Sequence, residues 1–135
     1  MNSKFYVSLE AARLLKEKGY RDKTMYGYSS EDQSKNALDV REDYDWNDPD
    51  DEFHSTETGE YVEMFAAPTK AEAIDWLESK GIVVQTIPST PNIWRWRMSS
   101  MKYIPYDDNT EDSEILYSTR LETEEAAIIK ALELL

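Results

Sequence analysis

The chain has 135 residues and no cysteine, and 28 acidic residues against 15 lysines and arginines give it a net charge of −13. That length suits a single domain, 1–135, with one modest core. The missing cysteines exclude disulfides, thiolate zinc sites and thiol nucleophiles. No apolar run is long enough for a transmembrane helix, and the first residues lack an apolar signal core, so a cytoplasmic protein without membrane contact is expected.

The charge is unevenly spread. Residues 39–57, "DVREDYDWNDPDDEFHSTE", hold nine acids and one base, and residues 107–114, "DDNTEDSE", hold five acids and no base. These two segments account for the whole excess, so the rest of the chain is electrically balanced.

In chain order, the first element is a helix from Leu9 to Lys18, with Ser8 as N-cap and Ala11, Ala12, Leu14 and Leu15 on one stripe. Gly19 supplies a left-handed ending. Residues 24–28 and 60–66 are weaker strand candidates. Between them, 39–57 reads as an acidic loop, interleaved with Tyr44, Trp46 and Phe53. Free acidic tails are poor in aromatics, so this loop is expected to be pinned to the domain or to a partner. A helix then opens at Thr69, where Glu72 completes a capping box, and stops at Gly81. Its match to the first helix is explained by shared helix-end chemistry better than by an internal repeat.

Residues 82–88 and 92–98 read as strands joined by a turn, and 114–119 as a strand leading into a last helix capped by Thr119 or Thr123. In "NIWRWRM", Trp94, Trp96 and Met98 point one way and Ile93, Arg95 and Arg97 the other. The tryptophans are therefore expected under a helix, with the arginines paired to acids of neighbouring strands or of 107–114. A nucleic-acid platform would need aromatics and cations on one exposed face, so no nucleic acid is expected. The fold expected is α+β, an antiparallel sheet of three to five short strands with about three helices packed on one face.

Asp43, Asp45 and Asn47 have the spacing of the first ligands of a calcium loop, but the sixth position is Asp48 and the twelfth His54, where Gly and Glu are needed. They are weak metal candidates. His54 has no nucleophile motif beside it, and phosphate-loop and hydrolase motifs are missing, so no catalytic residue and no cofactor is assigned. The residues expected to touch a partner are Trp46, Asp48, Asp50, Asp51, Glu52, Arg95 and Arg97.

Three blocks, "SLEAARLLKEKGY", "APTKAEAIDWLESKGI" and "TRLETEEAAIIKALELL", resemble small uncharacterised proteins of bacterial phages, prophages and mobile elements, notably of the Bacteroidetes. The matching positions are Ser8–Gly19, Ala67–Leu77 and Glu124–Leu132. The resemblance implies an origin and no activity. The leading expectation is a non-enzymatic phage or mobile-element protein acting through protein contacts, with a protein partner. The alternatives are an acidic anti-host mimic of DNA and an enzyme with an unrecognised carboxylate site. Partner identity and oligomeric state are not fixed by these residues.

Overall fold

The computed structural model describes residues 3–30, 38–55, 58–100, 110–113 and 115–135. The chain is α+β: three α-helices and antiparallel strands in three small sheets among the described residues. It groups into two compact units, Met1–Pro68 and Thr69–Leu135.

In the first unit, α1 spans Leu9–Glu17, and the Ser8 side chain accepts the Ala11 amide at 3.2 Å. This satisfies one of the amides that a helix start leaves without a partner. Gly19 ends the helix at φ +94°, and Tyr20 folds back into the core. The strands are β1 (Thr24–Ser29), β2 (Leu38–Tyr44), β3 (Phe53–His54), β4 (Tyr61–Val62) and β5 (Met64–Ala66). They form one sheet in the order β2-β1-β5 and a separate pair, β3-β4. Helix α1 lies on β5, burying Ala11, Ala12 and Leu15. The Tyr28 hydroxyl donates to the Val7 carbonyl at 2.7 Å, tying the residues before α1 to the sheet.

In the second unit, α2 spans Lys70–Ser79 behind a complete capping box of Thr69 and Glu72. Gly81, at φ +94°, turns the chain into β6 (Ile82–Thr90). Then come β7 (Ile93–Ser100), β8 (Thr110–Asp112) and α3 (Arg120–Leu134), in sheet order β6-β7-β8. Both helices contact β6, and α3 also contacts β7. Register pairs Val84 with Met98 and Thr86 with Trp96 on one face. Ile82, Val84, Trp96 and Met98 are buried with Ala73, Trp76, Leu77, Ala127, Ile128, Ala131 and Leu132. Alternation thus sends Trp96 into the core, as its period of two requires, while Trp94 is half-buried.

Several elements depart from expectation. The segment 39–57 is not a plain loop, because it holds β2 and β3. Pairing to β1 at Tyr26↔Val40, Gly27↔Asp39 and Tyr28↔Leu38 overrides its acidic composition. The strand expected over 60–66 divides at Glu63: Tyr61 and Val62 pair with β3, while Met64–Ala66 pair with β1. The strand expected at 114–119 lies earlier, at Thr110–Asp112, and α3 is capped by Thr119, whose hydroxyl accepts the Glu122 amide at 3.1 Å.

Candidate functional site

The acidic segment is fastened to the first unit by two side chains. Trp46 is 2% exposed, and its indole N–H donates to the Thr24 carbonyl at 3.0 Å. Its ring lies against Gly27 so closely that a Cβ there would come within 3.0 Å of ring atoms Cδ2, Cε3 and Cε2. Only the absent side chain of glycine permits this approach. Asn47 is also buried: its amide donates to the Tyr20 carbonyl at 2.8 Å, and its side-chain oxygen accepts the Ala66 amide at 3.0 Å. One side chain thereby joins the end of α1 to β5.

The acids beside these anchors are held from the other side. Arg21 Nε and Nη2 both donate to Asp45 Oδ2, at 3.0 and 2.8 Å, and Asp48 lies 3.7 Å from the same guanidinium. The hydrogen bond to Asp45 raises the Arg21 pKa further above its ordinary value. The other Asp45 oxygen accepts the Asn47 amide at 3.1 Å, and Asp48 accepts the Asp50 amide at 2.9 Å. Such short-range side-chain bonds fix a turn. Asp50, Asp51 and Glu52 are left exposed on it.

A small aromatic group continues this surface. The Tyr44 ring stands edge-on to Trp46 and Phe53, at 5.5 and 5.9 Å between centroids, and its hydroxyl bonds to Asp51. The Arg41 guanidinium lies 5.0 Å from the Tyr44 ring and 4.8 Å from that of Phe53, a cation–π arrangement. Burial first, then the bond to the Asp51 carboxylate, pushes the Tyr44 pKa up to about 12. His54 accompanies the group: its Nδ1 lies 3.2 Å from the Gly59 carbonyl and its Nε2 3.6 Å from Glu52.

Two expectations change here. Trp46 is not a surface contact, because its indole fills the first unit's core. Asp45 and Asn47 are not free to ligate: one Asp45 oxygen takes both Arg21 donors, and Asn47 spends both ends of its amide on the backbone. The Asp43 side chain lies outside the described residues, and no group of three metal-ligating side chains forms among those described. Asp48 works inside the turn; Asp50, Asp51 and Glu52 are exposed, with Asp51 also accepting from the Tyr44 hydroxyl and Glu52 beside His54.

In the second unit, Arg95 and Arg97 sit on the sheet face opposite Trp96. Arg97 grips Asp112 through Nε and Nη2, at 2.8 and 3.2 Å, and Arg95 Nη1 lies 3.9 Å from the same carboxylate. Arg97 and Asp112 are direct register partners. The Arg97 hydrogen bond holds the Asp112 carboxyl below its usual range. The expected pairing of these arginines with the 107–114 segment is thus realised by one shared carboxylate. Arg95 Nε is shielded from water and has no hydrogen-bond partner among the described residues.

One feature lies outside every sequence expectation. Beyond β8, the Ser113 amide donates to the Trp96 carbonyl at 3.0 Å, and Tyr117 exchanges two backbone bonds with Trp94, at 2.7 and 2.8 Å. Tyr117 and Trp94 thus form an isolated antiparallel bridge beyond β8. Ile115 is 64% and Leu116 57% exposed. An aliphatic side chain of this size forgoes about 1.5–3 kcal/mol when it stays in water instead of a core. In the sequence this apolar pair, "IL", follows straight after an acidic run and sits within the stretch expected as strand.

No family model, no curated protein and no solved structure matches the chain.

Proposed function

We propose that this protein acts without catalysis, by binding another protein, and that the turn carrying Asp50, Asp51 and Glu52 is a contact. The observation that carries this reading is the anchoring of the acids. Trp46 and Asn47 bury themselves on either side of the chain's path, and Asp45 and Asp48 are spent inside the turn. A carboxylate group held this way loses little freedom when a basic partner docks, so more of the interaction energy appears as affinity. Like-charged side chains crowded on one turn repel one another, and a surface kept at that cost suits recognition and electrostatic steering. The resemblance of the three helical blocks supports a phage, prophage or mobile-element origin as part of the same proposal.

Deleting residues 39–57 would remove Trp46 and Asn47 from the core, so substitution is the appropriate test. The variant Asp50→Asn, Asp51→Asn, Glu52→Gln keeps both anchors. Affinity capture from a lysate of the source cell, with the wild-type chain and this variant compared at a temperature where both are fully folded, reads the outcome. A protein retained by the wild type and lost from the variant is expected. The same proteins retained by both would refute the turn as a contact.

A further inference from the structure

We infer that β6 is the seam of a homodimer: its outer edge pairs antiparallel with β6 of a second copy about a two-fold axis at Val84, joining two β6-β7-β8 sheets into one. This goes beyond the acidic turn and does not depend on it.

The ladder shows which groups face outward. In an antiparallel sheet a residue sends its N–H and C=O to the same neighbour, and successive residues alternate sides. Trp94 exchanges both groups with Tyr117, and the Trp96 carbonyl accepts the Ser113 amide, so Trp94 and Trp96 face the β8 side. Arg95 and Arg97 therefore face β6, where their partners are Ile87 and Gln85. Val83, Gln85 and Ile87 are then the inward residues of β6, and Ile82, Val84 and Thr86 send their backbone groups outward. Those groups meet no backbone partner among the described residues. A sheet edge in this state is a template for another strand.

Natural edges are guarded by charge, brevity or proline. Strand β2 carries Asp39, Arg41, Glu42 and Asp43. Strand β8 is three residues long and holds Glu111 and Asp112. Strand β5 is also three residues long, and Lys16 Nζ donates to its Met64 carbonyl at 2.9 Å. By contrast, β6 has nine residues, "IVVQTIPST", and no charge, in a chain of which 32% is charged. The guard it does carry is Pro88, and this sets the register. Symmetry about Val84 places Ile82 opposite Thr86 of the second copy and Val84 opposite its counterpart, each pair exchanging N–H and C=O. The next outward residue, Pro88, would face Lys80 at the end of α2 and has no N–H to give. This centre uses every outward residue of 82–86 and leaves the missing donor outside the shared ladder.

Charge and symmetry also choose the occupant. A foreign strand is selected through side chains along the edge, and β6 offers no charge with which to select one. A second copy needs none, because the same residues meet across the axis. β-Branched side chains then lie against β-branched side chains, and no carboxylate of this acidic chain stands on the strand.

Sedimentation velocity of the full chain from about 1 μM to 1 mM, the range in which a short interface associates, should show a concentration-dependent dimer. Amide exchange by NMR over the same series should protect Ile82, Val84 and Thr86 as the dimer forms, while Val83 and Gln85 stay protected throughout. Thr86→Pro removes an outward N–H and leaves the β6–β7 ladder whole; Thr86→Lys places a charge on the edge. Each should weaken dimerisation about tenfold or more, with Val83 and Gln85 still protected. A wild type that stays monomeric over the whole series would overturn the inference. So would a dimer that both variants keep, or one whose formation leaves exchange at Ile82, Val84 and Thr86 unchanged.

Discussion

At the scale of single residues, the first unit depends on a tryptophan, a glycine and an asparagine that the sequence presents very differently. Gly27→Ala would push a methyl group into the Trp46 ring. Overpacking of this kind costs about 1–3 kcal/mol, so the urea midpoint should fall markedly, and an unchanged midpoint would mean the ring is not seated there. Asn47→Asp keeps the shape but turns a donor into an acceptor facing the Tyr20 carbonyl. A buried group left without its partner costs about 1–3 kcal/mol, more when charged, so this variant should be less stable at pH 7 than Asn47→Ala. Tyr44 offers a pH readout. Its folded pKa lies above the ordinary phenol value, at about 12, so its contribution is complete below pH 10 and lost as pH rises through 12. Tyr44→Phe should remove that part of the alkaline stability loss. Of these roles, sequence reasoning could see that aromatics pin the acidic segment. It could not see which one does so, because the deciding fact is a missing Cβ on a strand nineteen positions away.

At the scale of elements, the helices were legible because their ends are written locally. Ser8, Thr69 and Thr119 cap, and Gly19 and Gly81 stop, each by chemistry confined to a few residues. Gly19 meets no neighbour where a Cβ would stand, so Gly19→Ala tests conformation alone. A loss of about 1–2 kcal/mol is expected from the left-handed backbone, and Gly19→Asn should lose less. The strands were less legible. β2 is hidden in an acidic run, β4 and β5 are one stretch shared between two sheets, and β8 falls inside the second acidic run. Each is settled by a pairing partner remote in sequence. β8 is three residues long and fastened by Asp112 to Arg97. The folded pKa of Asp112 is lowered, so this support is present above the ordinary carboxylate range and lost as pH falls through the lowered value. Asp112→Asn should speed amide exchange in Thr110–Asp112 at pH 7 and flatten its acid dependence.

At the scale of the whole molecule, excess charge is confined to two segments, and residues 44–54 of the first and 110–113 of the second are held by backbone, side-chain or core contacts. Holding carboxylates close together opposes stability. The Asp50→Asn, Asp51→Asn, Glu52→Gln variant should therefore melt above the wild type in dilute buffer, with the gap closing as ionic strength passes about 0.1 M, where screening reaches roughly 10 Å. The proposed contact depends on whether the turn is fixed. Amide hydrogen exchange by NMR measures this directly. In the wild type, Asn47, Asp50 and Ala66, whose amides meet Asp45, Asp48 and Asn47, should be protected. Asn47→Ala should release Ala66 and the turn together. Exchange of Asn47 and Asp50 at free-chain rates in the wild type, with α1 still protected, would contradict an anchored acidic surface.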